Sequence, residues 1–133
     1  MAAIMFIDLD GFKAINDNLG HETGDKVLIE VSARLSSCVR EVDTMARIGG
    51  DEFMIVLSNI HNRAGASKVA KSLINAMSQP FRLDDQDTSI GLSIGIALYP
   101  EHGEEPETIL KRADEAMYEV KASGKNNYKF AGN

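Results

Sequence analysis

The sequence of 133 residues predicts one α+β domain. Apolar runs of strand length, rich in Ile, Val, Met and Phe, alternate with segments whose apolar residues recur at helical spacing. Glycine and proline separate these segments. The strand patterns cover residues 4–7, 44–48, 53–57, 90–99 and 128–130, and the helical patterns cover 12–19, 24–39, 64–77 and 106–122.

Each boundary has a local reason. Gly20 follows the first helical pattern and suits a helix C-terminus, and Pro80 ends the third pattern. Pro106 is placed to begin the last helix, whose expected inward positions include Leu110. Gly91 and Gly95 predict close backbone approach or a bulge in their strand. Residues 81–89 are polar and ambiguous, and a short edge strand and a turn are expected there.

The order of the elements is β-α-β-β-α-β with additions at the C-terminal end. It is typical of the ferredoxin-like arrangement, an antiparallel sheet with helices packed on one face. No linker or repeat divides residues 1–133, so we expect one domain.

Composition excludes several classes of protein. Cys38 is the only cysteine, which rules out an intrachain disulfide and fits a reducing compartment. The net charge of −6 disfavours nucleic-acid binding. No basic leader precedes the first strand, and the longest apolar stretch is too short to span a bilayer. We therefore expect a cytoplasmic domain, although a parent protein with further segments could be attached to a membrane.

Acidic residues follow two strand patterns that the fold brings together. Asp8 and Asp10 end the first strand, and Asp51 and Glu52 occupy the glycine-rich turn of residues 47–57, RIGGDEFMIVL. Carboxylates that converge in this way favour Mg²⁺ or Mn²⁺ over Zn²⁺, and Mg²⁺ commonly binds phosphates. This points to phosphoryl or nucleotidyl transfer. The alternative is that these acids are ordinary turn residues.

A set of ordered motifs then resembles the GGDEF domain of diguanylate cyclases. They are DLDGFKAIND at 8–17, GH at 20–21, GD at 24–25, GGDEF at 49–53, SIGIA at 93–97, ADEAMY at 113–118 and KASGKN at 121–126. The resemblance implies the nucleotide-cyclase palm type of the fold. It also implies condensation of two GTP molecules into cyclic di-GMP, with release of pyrophosphate, by two domains that face each other as a homodimer.

The resemblance also implies roles for individual residues. Asp8 and Asp51 would bind Mg²⁺ with help from the Leu9 carbonyl, and Glu52 would be the proton acceptor or a further metal ligand. The remaining candidates would contact the nucleotide: Asn16 and Asp25 the guanine edge, Lys13, Lys121 and Lys125 the phosphates, and His21 the pocket wall. Asp25 favours GTP over ATP, because relatives that make mixed dinucleotides carry a smaller residue there.

Each assignment has a simpler alternative. The lysines could be solvated, and Lys121 and Lys125 lie near a predicted helix C-terminus, where cations are favoured in any case. Asn16 could help to end its helix, His21 could be structural, and Asp25 could cap the helix that follows.

An Arg-x-x-Asp pattern precedes the glycine turn. Arg40 and Asp43 stand where the family carries a product-binding inhibitory site, and Lys71 on the next helix is expected to add a positive charge. Cyclic di-GMP is thus expected as product and as inhibitor.

The chain also departs from the family pattern. Members usually carry a helix before the first strand, whereas this chain begins at the strand. We expect a fragment of a longer signalling protein with sensory or regulatory domains, and weak turnover by the isolated chain. The competing interpretations are a non-catalytic module that binds GTP or cyclic di-GMP, and an interaction domain without a ligand.

Overall fold

The computed structural model describes residues 1–83 and 86–132, which form seven strands and four helices. The elements are, in chain order, β1 (Ala2–Asp10), α1 (Phe12–Leu19), α2 (His21–Ser37), β2 (Thr44–Gly49), β3 (Glu52–Leu57), α3 (Arg63–Met77), β4 (Phe81–Leu83), β5 (Gln86–Thr88), β6 (Gly91–Tyr99), α4 (Pro106–Ala122) and β7 (Asn127–Phe130).

The central sheet has the order β2-β3-β1-β6-β7. Its first four strands pair antiparallel, in the order predicted for a ferredoxin-like core. β7 pairs parallel to β6, because α4 carries the chain back across the sheet before β7 begins. The sheet is therefore mixed rather than wholly antiparallel. The predicted α+β class is confirmed.

The helices lie on both faces of this sheet, not on one as expected. On one face, α1, α2 and α3 bury their apolar residues against alternate residues of β1, β3 and β6. On the other face, α4 packs against Ile4, Phe6 and Ala97. Leu110, expected to face inward, is 36% exposed because α4 turns Ile109 and Ala113 towards the sheet instead.

Gly95 explains how α4 comes so close. A Cβ atom at this position would lie 1.9 Å from the backbone oxygen of Ala113 and 2.4 Å from the backbone nitrogen of Met117. Gly91 is similarly crowded, by the side chain of Asn126 at 2.9 Å from such a Cβ. The predicted close backbone approach is confirmed at Gly95, whereas at Gly91 the crowding comes from side chains.

Several boundaries differ from the predictions: β1 spans Ala2–Asp10 rather than 4–7, and α2 spans His21–Ser37 rather than 24–39. α2 begins at His21, directly after Gly20, so Asp25 lies inside the helix and does not cap it. The ambiguous segment forms a separate two-stranded sheet of β4 and β5, while the turn expected there falls on residues 84–85, outside the described residues. Among the described residues, no helix combines the length and apolar character needed to cross a membrane.

Candidate metal and nucleotide site

The antiparallel pairing of β1 with β3 brings two acidic segments together. Asp8 of β1 lies opposite Glu52 of β3 in the register. The backbone N–H of Leu9 donates to the carbonyl oxygen of Asp51 at 3.0 Å, which fixes the end of the turn against β1. The two segments are 43 residues apart in sequence and meet because the buried apolar residues of both strands pair in this register.

Three carboxylates form what we call the acid cluster: Asp8, Asp51 and Glu52. Each offers an oxygen, and these oxygens lie within 4.8 Å of one another. Two oxygens bound to the same Mg²⁺ at about 2.1 Å are at most about 4.2 Å apart, so small side-chain rotations would close the cluster around a cation. The predicted approach of Asp8 to Asp51 is confirmed, and a bound metal stays a prediction.

The environment of Asp8 fits a cation. Its Oδ1 atom is buried and finds no hydrogen-bond donor among residues 1–83 and 86–132. The ammonium of Lys121 lies 3.6 Å from this oxygen, too far for a hydrogen bond. Burial raises the pKa of Asp8 to about 6; Lys121 opposes this shift, and the negative charges of Asp51 and Glu52 add to it. A divalent cation would supply the missing partner and relieve the repulsion.

Asp10 is not part of this cluster, although the sequence suggested that it converges with Asp8. Its side chain is 9% exposed and is fully engaged elsewhere. Oδ1 accepts hydrogen bonds from the hydroxyl of Ser93 and the ammonium of Lys121, both at 2.8 Å. Oδ2 accepts from the backbone N–H of Asn126 at 2.9 Å. Asp8 and Asp10 lie on the same face of β1, since side chains alternate along a strand, but the donors of Ser93, Lys121 and Asn126 bind Asp10.

The turn that carries Asp51 is held from behind. Gly50 has a positive φ of 32°. Arg47 donates from Nε and Nη2 to the Gly50 carbonyl oxygen at 3.1 and 2.8 Å. Such a forked contact restricts the turn and thereby the direction of the Asp51 side chain.

Asn16 of α1 lies against Gly24 of α2, the residue before Asp25. The Asn16 amide occupies the space that a side chain at position 24 would need: a Cβ on Gly24 would lie 1.8 Å from its Oδ1. Asp25, the next residue, lines a cavity of about 400 Å³. The other lining residues are Leu28, Ile29, Ser32 and Arg47. The cavity is lined on one side by α2 and on the other by the residue that holds the glycine turn.

The remaining nucleotide candidates lie on α1, on α2 and at the end of α4. Lys13 on α1 and His21 at the start of α2 are exposed. Lys121, in the last turn of α4, also lies 3.4 Å from the Leu9 carbonyl oxygen. Lys125 follows α4 with φ of 64° and lines a separate cavity of about 390 Å³ with Asp10 and Asn126.

Arg40 and Asp43 bind each other at the opposite end of β3. Two guanidinium nitrogens of Arg40 contact the Asp43 carboxylate at 3.2 and 3.1 Å, and another contact reaches the Ser58 carbonyl oxygen. Asp43 also accepts from the backbone N–H groups of Arg40 and Ser58. Burial raises the pKa of Asp43, but these bonds outweigh it and the net pKa is lowered.

A cavity of about 420 Å³ adjoins this pair. Lys68 of α3 lines it, whereas Lys71, the lysine expected to face the pair, is exposed on α3 and is not among the lining residues. A second, largely apolar groove of about 290 Å³ lies away from the acid cluster, between β1, β3 and the start of α4.

Sequence reasoning missed three contributors to the site: Ser93, Asn126 and Lys68. Ser93 and Asn126 reach Asp10 across 83 and 116 positions of sequence, a separation at which spacing gives no signal. Lys68 lies about one helical turn before Lys71. Which of the two lysines lines the cavity depends on the orientation of α3, which the sequence does not give. The contact of Arg47 with Gly50 was not predicted either, although Arg47 lies only two residues before Gly49.

The chain matches a known protein family and is similar to proteins of known function. The family model described as "Diguanylate cyclase, GGDEF domain" matches residues 1–127. The chain is 45% identical over 130 residues to the diguanylate cyclase TpbB of Pseudomonas aeruginosa, and 45% identical over 128 residues to the bifunctional diguanylate cyclase/cyclic di-GMP phosphodiesterase MucR of the same species.

These matches cover 97% and 96% of the chain but only 30% and 18% of the two relatives. The crystal structure of the TpbB GGDEF domain superposes with a TM-score of 0.96 at 44% identity, over 99% of this chain and 83% of that one. The GGDEF domain of DgcB from Caulobacter crescentus, solved in complex with c-di-GMP, has a TM-score of 0.88 at 26% identity, over 97% of this chain and 77% of that one. On the family match and these likenesses, the chain belongs to the GGDEF domain family of diguanylate cyclases.

Proposed function

We propose that this domain is a diguanylate cyclase that condenses two GTP molecules into cyclic di-GMP and two pyrophosphates with Mg²⁺ or Mn²⁺. The observation that supports this most strongly is the acid cluster, in which a buried Asp8 oxygen receives no hydrogen bond from the described residues and has only the Lys121 ammonium nearby, at 3.6 Å. A carboxylate in that state is costly unless it receives a cation or a proton. The 45% identity to the diguanylate cyclase TpbB supports the same function.

The metal would be held by the carboxylates of Asp8 and Asp51 and by the Leu9 carbonyl oxygen. When bound, it would supply charge stabilisation to the phosphate oxygens. Glu52 is adjacent and would accept the proton of the ribose 3′-hydroxyl or add a further ligand. In each half of the reaction, the 3′-oxygen forms a bond to the α-phosphorus of the other GTP, and the bond to pyrophosphate breaks.

Binding and orientation would come from residues around the cluster. Asn16 and Asp25 would contact the guanine edge, because a carboxylate can accept from N1–H and N2–H₂ together. Lys13, Lys121 and Lys125 would contact the phosphates, and His21 would line the pocket. One domain carries one such set, so a homodimer of facing domains is required for the two attacks.

Arg40, Asp43 and Lys71 would form a product-binding site for cyclic di-GMP, in which Lys68 is the better placed lysine. Since Asp43 is saturated by Arg40 and Ser58, a ligand there would have to take over some of these bonds. We further propose that residues 1–133 act as a single domain in the cytoplasm, and that sensory or regulatory domains of a longer protein control it.

A non-catalytic module that binds GTP or cyclic di-GMP is the second candidate. The observation that favours it is the cavity beside Arg40, which does not depend on the acid cluster. Calorimetry with cyclic di-GMP before and after Arg40→Ala tests it. Loss of binding in the variant, together with no product from GTP, would favour the module over the enzyme.

The direct test of the cyclase is incubation with GTP and Mg²⁺ followed by chromatography of the products. Asp51→Asn should abolish cyclic di-GMP formation, because it removes a charge from the acid cluster, while the circular dichroism spectrum stays unchanged. Asp87→Asn, the same change at an exposed position of β5, should retain wild-type turnover. Undiminished turnover by Asp51→Asn would exclude this site.

A further inference from the structure

Asp10 is the acid of the DLD segment that is not part of the acid cluster. It lies two residues beyond Asp8 at the end of β1, and its carboxylate is bound by three donors. Both oxygens are used, so Asp10 has little capacity left for a metal. Its role therefore depends on the residues that it binds and on their neighbours in the chain.

Two of these partners belong to the segment that ends α4 and leads into β7. Lys121 lies in the last turn of α4, and Asn126 is the residue before β7. In this segment, Lys125 and Asn126 both have left-handed backbone conformations, with φ of 64° and 48°. Such conformations are unfavourable for most residues and persist where surrounding contacts hold them. The Asn126 side chain adds a bond from the backbone N–H of Leu92 at 3.3 Å.

Asp10 also decides where the Lys121 ammonium lies. That ammonium is 2.8 Å from Asp10 but 3.6 Å from Asp8. It is therefore bound to the carboxylate outside the acid cluster, which leaves the Asp8 oxygen available. Ser93, which is fully buried on β6, donates to the same oxygen and keeps the Asp10 carboxylate in place.

We infer that Asp10 is a positioning residue: it anchors Lys121 and the turn that carries Lys125, so that both lysines are held ready for the phosphates of the nucleotide. The inference rests on the proposed function in one respect, namely that Lys121 and Lys125 bind the phosphates of GTP. The anchoring itself belongs to the nucleotide-free protein.

The variant Asp10→Asn tests this, because an amide cannot accept from both sides. Its oxygen should stay on the side of the Ser93 hydroxyl and the Lys121 ammonium, because the bond from the ammonium is charge-assisted, so its NH₂ group faces the Asn126 N–H. In the nucleotide-free protein, hydrogen exchange at the Asn126 amide should become on the order of tenfold faster, while the amides of β1 and β3 keep their rates. Unchanged exchange at Asn126 would overturn the inference.

The affinity for a triphosphate relative to a monophosphate is a measurement that a general loss of stability would not change. Calorimetry compares GMP with the α,β-methylene analogue of GTP, which cannot be condensed, both with Mg²⁺. Asp10→Asn should weaken the triphosphate analogue on the order of tenfold and leave GMP unchanged. Ser93→Ala, which removes one of the three bonds, should give a smaller effect in the same direction, and Asp87→Asn none. An equal loss for both ligands in Asp10→Asn would mean a merely structural role.

The two proposals fail in different ways. A wild-type chain that makes no cyclic di-GMP but loses triphosphate affinity on Asp10→Asn contradicts the cyclase and supports the positioning role. A wild-type chain that binds the triphosphate analogue no more tightly than GMP contradicts the phosphate role of Lys121 and Lys125, and this inference with it.

Discussion

Three aspartates of this chain show how the environment of a carboxylate decides its use. Asp8 is buried beside two other acids and lacks a hydrogen bond on one oxygen among the described residues. Asp10 is saturated by three donors, and Asp43 by Arg40 and two backbone N–H groups. The first is therefore poised to bind a cation, while the other two hold the structure around them.

Asp8→Asn should separate stability from metal binding. At pH 8 and without metal, the variant should be more stable to urea than the wild type, because a buried, repelled charge is removed. Titration with Mn²⁺, followed by electron paramagnetic resonance, should show that the variant has lost on the order of tenfold or more in affinity. A variant that is less stable and binds Mn²⁺ equally well would show that Asp8 is structural.

Asp43→Asn should make stability depend less on pH. The hydrogen bonds that lower the Asp43 pKa stabilise the fold when the carboxylate is charged, so this contribution is present above the unfolded pKa of about 4 and is lost as the pH falls through the lower folded value. Urea unfolding at pH 7 should show the variant less stable by about 1–3 kcal/mol. The difference should shrink towards pH 3. A difference that is constant with pH would contradict the assignment.

At the scale of elements, the packing of α4 on the sheet depends on one missing side chain. Gly95 allows the α4 backbone to approach β6 more closely than any Cβ would permit. Because Lys121 lies on the same helix, this contact also sets how far the lysine is from the acid cluster. The position of a helix is thus linked to the geometry of the site.

Gly95→Ala should destabilise the domain by about 1–3 kcal/mol or more, because the new methyl group would meet rigid backbone atoms rather than a mobile side chain. Urea unfolding followed by circular dichroism measures it. Gly65→Ala is the matched control: its Cβ would meet only the Ile60 side chain at 3.7 Å, and alanine is the better helix residue. Equal stabilities of the two variants would contradict the packing argument.

Most elements could be predicted because their apolar residues recur at clear intervals. α1, β3, α3 and α4 lie within one residue of the predicted bounds. The first turn of α2 escaped detection because residues 21–23 are not buried and leave no periodic trace. The face on which α4 lies and the parallel pairing of β7 could not be predicted, since they depend on how the chain crosses the sheet.

The site was predictable only in part for a related reason. The approach of Asp8 to Asp51 follows from strand order, which the order of patterns indicates. The division of labour between Asp8 and Asp10 depends on which donors come within 3 Å, and those donors lie on α4, β6 and β7. Sequence spacing carries no information about such long-range partners.

At the scale of the whole molecule, one domain provides one set of nucleotide-binding candidates, and the proposed reaction needs two. Specific activity with GTP and Mg²⁺ should therefore rise in proportion to protein concentration while monomers predominate, and level off once pairs form. Sedimentation at the same concentrations provides the comparison. Full specific activity at nanomolar protein, where sedimentation gives only monomers, would contradict the need for a pair.

The strand β3 separates the acid cluster from the Arg40 pair. Its six residues span roughly 20 Å, with Glu52 at one end and Leu57, next to Ser58, at the other. A molecule of nucleotide size seated beside Arg40 would therefore be out of reach of a GTP held by the same domain. If product restrains this protein, it must do so by limiting how freely an entire domain reorients towards its counterpart, rather than by crowding the reacting atoms.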